Sequence, residues 1–429
     1  MFLSIIALLF LFTGIINVSG LPPAPAFSWA TVPLYQHLAS VNATNTQPFP
    51  PARLAWLAAN FPVVVLEHAH GMGSWAYNPP NGTGVWGPAP FTPPGSGYIE
   101  DAFAVAAVAL KKLNNSITVL YYQQITGALP YYRASQPLNN NMKWALDSST
   151  CNPITGSGTM MNEGIKIPPF NDILPNYVTY AYDHTQSGVT DNFVAAFMNM
   201  TLSTLVDGTF IDTASCYNSP TQAAASLTTV QAMQTACPNK IVGFHTSSSM
   251  KGDNGFTAAM DYTFAVPSKR RQRQQRRRLG FGGPGKDTSG QAGLDWMTAN
   301  YAAGVISFAH IGDIDQGVDM IYSLAVFLAG VNNRSYFAFS SADKSEAAWM
   351  ECWDGGSLTY PLFPTWCSGQ GGSADFSRPL GEPLGPATST GGRGNEVSRT
   401  FKTGTKVTVQ LLGTTCTIAW ADGHTTVCV

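Results

Sequence analysis

The segment Val206-Asp-Gly-Thr-Phe-Ile-Asp212 carries two carboxylates at opposite ends of one short apolar run. Residues 189–205 before it have apolar side chains at helical spacing, and Asp-Gly is a common turn, so the order helix, turn, strand is predicted. In parallel α/β proteins, chemistry gathers at the carboxyl ends of the strands. We therefore predict that Asp212 lies at an active site, and that Asp207 is a turn residue at the other end of the strand.

Short apolar runs alternate with helical patterns between residues 62 and 340, which is typical of a parallel sheet. Eight strands are predicted, the number that a closed barrel requires, so the predicted fold class is α/β, a (β/α)8 TIM barrel. Residues 246–255 are too few for an ordinary crossover helix, which leaves an open sheet as the alternative. The predicted strands are Val63–Glu67, Ile117–Gln123, Tyr177–Asp183, Gly208–Thr213, Lys240–His245, Phe256–Phe264, Gly304–His310 and Ser335–Ser340. The predicted helices are Ile99–Leu113, Val189–Leu205, Gln222–Thr235, Gln291–Ala303 and Val318–Ala329.

Polar side chains cluster where these strands end, and one chemistry that suits them is glycoside hydrolysis by two carboxylates. Asp212 and Asp261, on the fourth and sixth predicted strands, are the predicted catalytic pair. Long loops rich in Trp and Tyr after the first two strands suit sugar rings, so the expected partner is a carbohydrate, bound without cofactor or metal. The predicted substrate-binding residues are Glu67, His70, Tyr122, Asp183, His245 and His310.

Two other functions fit the same side chains. The spacing His68-Ala-His70 after the first strand, with His245 after the fifth, would suit the metal ligands of an amidohydrolase-like hydrolase. Such barrels also carry a lysine on strand four and a histidine on strand six, and neither has a counterpart here. A carbohydrate-binding barrel without catalysis would keep the aromatic loops and lack a working pair of acids.

Three segments carry a resemblance to a known family: the strand ending at Asp212, the apolar helix Leu324-Ala-Val-Phe-Leu-Ala-Gly330, and Arg378-Pro-Leu-Gly-Glu-Pro-Leu-Gly followed by Arg399-Thr-Phe. In that order they resemble a family of secreted glycoside hydrolases with a TIM-barrel domain, distantly similar to α-galactosidase-type and polygalactosaminidase-type barrels. The resemblance implies an Asp at the end of strand four, matched by Asp212, and an acid on strand six, where Asp261 stands in place of the expected Glu.

Residues 1–20 are apolar and uncharged and end in Ser-Gly, which predicts a secretory signal peptide, with an uncleaved membrane anchor as the alternative. No later window is apolar enough to span a membrane. Five Asn-x-Ser/Thr sequons after residue 20 agree with a secreted or extracellular glycoprotein, or one of a lysosome-like or vacuole-like compartment. The sequons begin at Asn42, Asn81, Asn114, Asn199 and Asn333.

The formal net charge of −2 hides a basic run at 269–278, which holds seven of the 23 basic residues and leaves 16 against 25 acidic ones. Without aromatic residues between its charges, the run favours a surface insertion over a nucleic-acid site, so no nucleic-acid partner is expected. A processing site or translated intron would look the same. The predicted domains are a catalytic barrel at 21–374, with the insertion at 265–290, and a small antiparallel β unit at 375–429. Oligomeric state is not predicted.

The seven cysteines suggest three local disulfides. Spacing pairs Cys216 with Cys237, Cys352 with Cys367 and Cys416 with Cys428, and it leaves Cys151 free. None has the C-x-x-C spacing of a structural zinc site.

Overall fold

The computed structural model describes residues 24–39, 51–66, 99–127, 132–135, 137, 141–147, 150–154, 180–212, 216, 219–245, 258–261, 290–311, 320–339, 341–342, 349–350, 375–391, 395–413 and 415–428. Within them the helices are α1 Pro51–Asn60, α2 Ile99–Leu113, α3 Ser187–Ser203, α4 Pro220–Ala236, α5 Gly290–Ala302 and α6 Met320–Gly330. The first ten strands are β1 Gln36–Ala39, β2 Val63–Leu66, β3 Thr118–Gln124, β4 Ala145–Asp147, β5 Tyr180–Tyr182, β6 Gly208–Asp212, β7 Ile241–His245, β8 Ala258–Asp261, β9 Ile306–Ile311 and β10 Ser335–Phe339. The others are β11 Ser341–Ala342, β12 Trp349–Met350, β13 Thr388–Ser389, β14 Glu396–Thr400, β15 Lys406–Gln410, β16 Cys416–Ala419 and β17 Thr425–Val427.

The centre of the fold is an eight-stranded sheet in the order β1-β2-β3-β6-β7-β8-β9-β10, in which every neighbouring pair is parallel. Residues of β2 and β3 are buried on both faces, as expected for a sheet covered by helices. The predicted α/β class with a parallel sheet is confirmed.

The two ends of this sheet contact each other. Leu34, just before β1, forms a parallel bridge with Phe337 of β10. The Phe337 carbonyl accepts from the Tyr35 amide at 3.0 Å, and the Phe337 amide donates to the Pro33 carbonyl at 2.8 Å. These bonds connect the segment just before β1 with β10, the last strand of the sheet.

One predicted strand is wrong. Residues 177–183 were expected to be the third strand of the barrel, but β5 pairs antiparallel with β4 outside the eight-stranded sheet. Strand β3 pairs directly with β6 instead, and the additional strand of the sheet is β1, which lies beside β2. Its residues Gln-His-Leu-Ala lack the β-branched run that made β2 recognisable in the sequence. Because one strand is gained before β6 and one is lost, Asp212 still ends the fourth strand and Asp261 still ends the sixth.

The five predicted helices are confirmed within two residues at each end, and α1 is an additional helix. The short connection at 246–255 lies outside the described residues, as does the basic run. The described part of the chain contains no helix that is both long and apolar enough to cross a bilayer.

The start of β6 confirms the structural role predicted for Asp207. Its Oδ2 accepts the Val119 backbone N–H at 2.8 Å and lies 2.7 Å from Lys111 Nζ. The next residue, Gly208, must be glycine because a Cβ there would lie 2.0 Å from the Ile241 carbonyl oxygen. The turn therefore connects β3, β6 and β7 at their amino ends.

Strands β13 to β17 form an antiparallel sheet within residues 388–427. Strands β15 and β16 alternate between buried and more exposed positions, because one face of this sheet packs on α6. The Tyr322 hydroxyl of α6 donates to the Gln410 carbonyl at 2.6 Å. The domain boundary at 374 stays a prediction.

The disulfide prediction is partly confirmed. Cys416 pairs with Cys428 as expected, but Cys216 pairs with Cys151 across 65 residues rather than with Cys237. Cys237 is a buried free thiol that ends α4. Cys352 and Cys367 lie outside the described residues. The error has a simple cause: sequence proximity suggested a local pair, whereas tertiary structure brings the β4 hairpin beside the loop after β6.

Candidate active site

Asp212 is the last residue of β6 and lies level with Gln124 of β3, which puts it at the carboxyl end of the parallel sheet. The strand register also decides which face of the sheet it occupies. Tyr121 packs on Phe103 of α2, with ring centroids 5.7 Å apart, so its face is covered by helices. Tyr122, Gln124 and Asp212 belong to the other face, where Tyr122 packs on Phe210.

Two side chains of β3 hold the Asp212 carboxylate in a hydrogen-bonded chain. The Tyr122 hydroxyl donates to Asp212 Oδ2 at 2.7 Å, and Gln124 Nε2 donates to the Tyr122 hydroxyl at 3.3 Å. Gln124 Oε1 in turn accepts from the Thr126 amide and hydroxyl at 3.3 and 3.1 Å. The protein's own hydrogen bonds therefore fix the orientation of the Asp212 carboxylate.

The backbone of β3 is fixed at the same point. The Tyr132 hydroxyl, which is fully buried, donates to the Tyr122 carbonyl at 2.7 Å. Tyr122 is thus held at both ends, because its carbonyl is bonded to Tyr132 and its hydroxyl to Asp212 and Gln124. An oriented carboxylate at a strand end suits nucleophilic attack, or the stabilisation of a positive charge that develops on a substrate.

The register places Asp261 differently from Asp212. Asp261 pairs with Ala309 of β9, and Ala309 shares its face with Ser307, whose hydroxyl accepts from Asn300 of α5 at 3.1 Å. This is the helix-covered side, so the backbone puts Asp212 and Asp261 on opposite faces of the sheet. The register gives no support to the predicted pair, and the catalytic role of Asp261 stays a prediction.

His245 and His310 fall on the same face of the sheet as Asp212. His245 follows Phe244, which pairs with Ile211, so it is level with Asp212 on the neighbouring strand. His310 alternates with Phe308, which packs on Tyr35 and Tyr336 at 4.8 and 5.9 Å, and it is fully buried. Both positions agree with a polar cluster on this face, and their substrate-binding roles stay predictions.

Asp183 does not end a strand of the main sheet, and other side chains already bind its carboxylate. Oδ1 accepts from the Thr185 hydroxyl at 2.6 Å and from Gln222 Nε2 at 2.8 Å, and Oδ2 accepts from Gln186 Nε2 at 3.1 Å. Burial acts to raise the pKa of Asp183, but these hydrogen bonds outweigh it and hold the pKa below its ordinary value. The observed bonds anchor the start of α3 to α4.

The neighbouring His184 is buried, and its ring is held by contacts within the protein. Its ring nitrogens lie 2.9 Å from the Thr229 hydroxyl and 2.6 Å from the Ile125 carbonyl, and the ring stacks on Phe193. Burial disfavours the charged imidazole and lowers its pKa to about 4. His184 is therefore neutral at physiological pH.

Three other residues that the sequence analysis names lie outside the described residues, namely Glu67, His68 and His70. No group of three metal-ligating side chains occurs in the described part of the chain. Sequence reasoning missed Gln124, although it lies two positions after Tyr122 and so shares its face. Tyr132 belongs to the predicted aromatic loop after the second strand, but its hydrogen bond to the Tyr122 carbonyl was not predicted.

No family model matches the chain, and a search of curated proteins finds no match. Among solved structures, the chain is similar to a debranching enzyme of Nostoc punctiforme, with 11% identity and a TM-score of 0.48 over 92% of this chain and 91% of that one. An α-amylase of Geobacillus thermoleovorans aligns with 10% identity and a TM-score of 0.45 over 94% and 96%. The glycoside hydrolase domain of PelA from Pseudomonas aeruginosa aligns with 11% identity and a TM-score of 0.36 over 71% and 93%. Likeness at this level assigns neither a family nor an activity.

Proposed function

We propose that this protein is a (β/α)8-barrel glycoside hydrolase in which Asp212 is a catalytic carboxylate. The observation that carries the proposal is the 2.7 Å hydrogen bond from Tyr122 to Asp212, at the carboxyl end of an eight-stranded parallel sheet. The segment just before the first strand forms a bridge with the last strand, between Leu34 and Phe337. This is the end of such a sheet where enzymes place their catalytic groups. The relationship to α-galactosidase-type and polygalactosaminidase-type barrels is part of the same proposal.

In this mechanism Asp212 acts as the nucleophile or stabilises the oxocarbenium-like transition state. Tyr122 is a positioning residue that fixes one carboxylate oxygen, while a second acid protonates the leaving oxygen. Asp261 is proposed for that second role. Because the strand register puts Asp261 on the helix-covered face, a substitution of Asp261 tests this role directly.

The proposal extends to location and substrate. A secreted or extracellular glycoprotein agrees with the two disulfides, since such bonds form in oxidising compartments. The substrate is proposed to be an oligo- or polysaccharide, cleaved without cofactor or metal. The C-terminal sheet is proposed to support the barrel through α6.

A panel of glycosides, assayed with wild-type protein and with Asp212→Asn, tests the function. Turnover by the wild type and a loss of roughly a thousandfold or more in the variant are expected. Asp207→Asn is the matched control, because it makes the same chemical change at the other end of the same strand and should retain most of the turnover per folded molecule. Asp261→Asn tests the second acid and should be equally inactive.

Three outcomes would overturn parts of this proposal. Sugar binding without turnover in the wild type would indicate a carbohydrate-binding barrel. Tightly bound zinc, lost when His68 and His70 are changed together, would indicate a metallohydrolase. An active Asp261→Asn variant would leave Asp212 in place and assign the acid to another residue.

A further inference from the structure

A cavity of about 700 Å³ lies between the parallel sheet's helices and the C-terminal sheet. Its wall includes residues of α5 and α6, Asn332 and Asn333 just before β10, and Arg399 of β14. Asn333 precedes the start of a strand, whereas Asp212 ends one. The cavity is therefore at the opposite end of the sheet from the candidate active site, and it is separate from it.

Arg399 brings a positive charge to this wall, and no acid in the described part of the chain forms an ion pair with it. Its Nη1 donates to the carbonyls of Ala329 and Val331 at 3.0 and 2.7 Å, and its Nε donates to Gly385 at 3.0 Å. Among the residues that the structure describes, Nη2 donates no hydrogen bond and no carboxylate lies within ion-pair distance of the guanidinium. Burial lowers the pKa of Arg399 to about 10, which still leaves it charged at neutral pH.

The acid in the same wall is already paired. Glu382 lines the cavity, and its Oε2 forms an ion pair with Lys402 outside it. Of the two charged side chains in the wall, Glu382 therefore has an ion-pair partner, whereas Arg399 has none among the described residues. A partly buried cation favours an anionic partner, because a charge-assisted hydrogen bond offsets part of its lost hydration.

The remaining wall suits a ring with hydroxyl groups. Trp29 and Tyr301 supply aromatic surface, and Tyr301 is 52% exposed. Within the described residues the Trp29 indole N–H and the Tyr301 hydroxyl have no hydrogen-bond partner. The volume is within the range of small-molecule sites. Aromatic faces pack on the C–H faces of a sugar, while these donors and acceptors can bind its hydroxyls.

We propose that this cavity is a binding site for a sugar that carries a carboxylate, with the carboxylate on Arg399 and the ring against Trp29 and Tyr301. One cation in the wall matches a singly charged carboxylate better than a doubly charged phosphate, which recruits several cationic or N–H donors. The site stands independently of the proposed hydrolase activity.

Titration of the full chain with D-galacturonate, D-galactose and acetate, followed by NMR or calorimetry, tests the site. Because Asn333 begins a sequon, the protein is produced in a host that adds no N-glycans. Galacturonate is expected to bind at least about tenfold more tightly than galactose or acetate, the effect of one charge-assisted hydrogen bond. Equal binding of galacturonate and galactose, or no binding of galacturonate, would overturn the proposal, and acetate binding as tightly as galacturonate would show a simple anion site instead.

Two variants locate the bound sugar. Arg399→Gln should lower galacturonate affinity by about tenfold or more and leave galactose unchanged, and Tyr301→Ala should weaken both sugars. Arg399 also caps α6, so if Arg399→Gln fails to fold, Tyr301→Ala decides the question, and unchanged galacturonate affinity in that variant contradicts the proposal. Asp212→Asn should bind galacturonate as the wild type does. If only Asp212→Asn lowered the affinity for galacturonate, the sugar would bind at the active site and the second site would be refuted. This conclusion would hold whatever the outcome of the glycoside panel.

Discussion

The Tyr122 hydroxyl donates to Asp212 Oδ2 at 2.7 Å, although the two residues are 90 positions apart in the chain. The bond exists because β3 and β6 are parallel neighbours, with Tyr122 level with Phe210 and Gln124 level with Asp212. It joins the carboxyl ends of two adjacent strands on the face opposite the one where Tyr121 packs on α2. Asp207 makes the corresponding link at the amino ends, so one short strand carries a positioned carboxylate at each end.

Tyr122→Phe removes the donor and keeps the ring that packs on Phe210. We expect the variant to fold normally and to lose roughly tenfold to a hundredfold in kcat on the best glycoside of the panel, because a positioned carboxylate loses one hydrogen bond. Tyr121→Phe is the matched control, since it makes the same change on the helix-covered face of β3. Equal kcat values in the two variants would show that the hydroxyl of Tyr122 does not position Asp212.

Asp207→Asn should destabilise the protein without altering its chemistry. The carboxylate accepts the Val119 N–H and pairs with Lys111, and neutralising it weakens both interactions at a partly buried position. A loss of about 1–3 kcal/mol in the free energy of unfolding is expected from chemical denaturation. Lys111→Met should lose less than Asp207→Asn, because Val119 keeps its acceptor. The reverse order would contradict the assigned role of the Val119 bond.

Because His184 is buried in its neutral form, we expect the free energy of unfolding to decrease in acid. Burial lowers its pKa from 6.5 to about 4, so between these pH values the unfolded chain binds a proton that the folded chain does not. This contribution to stability is therefore present above pH 6.5 and is lost as the pH falls toward 4, by about 3 kcal/mol in total. His184→Gln removes the titration, so its unfolding free energy should fall less steeply than that of the wild type over this range. Parallel curves for the two proteins would refute the assignment.

The disulfide between Cys151 and Cys216 closes a loop of 65 residues. Peptide mapping without reduction should recover Cys151 linked to Cys216 and should find Cys237 as a free thiol that reacts only after unfolding. Cys151→Ser should lower the free energy of unfolding by about 2–4 kcal/mol, since it frees a long loop in the unfolded chain. Cys237→Ser is the matched control and should have the smaller effect. A disulfide-linked peptide of Cys216 and Cys237 would contradict this disulfide and support the local pair predicted from the sequence.

Much of the architecture was visible in the sequence because it depends on local patterns. The run Val63–Leu66 is buried on both faces, and helices such as α2 carry their apolar residues at helical spacing, so these elements were predicted within two residues. Tyr180–Tyr182 was assigned to the wrong sheet. A strand of three residues has no pattern that distinguishes one partner from another, and its choice of β4 depends on the surrounding fold.

The sequence by itself determined that Asp207 and Asp212 lie at opposite ends of one strand, because chain direction and the Asp-Gly turn place one carboxylate just before the strand and the other at its end. Tertiary structure alone decided what each carboxylate contacts. The register of β3 against β6 selected Tyr122 as the partner of Asp212, and the register of β8 against β9 put Asp261 level with Ala309. Register depends on hydrogen bonds between distant segments, and a shift of one residue moves a side chain to the other face of the sheet. For that reason the strand that ends at Asp212 could be found from its own residues, whereas the partners of Asp212 could be found only in the folded protein.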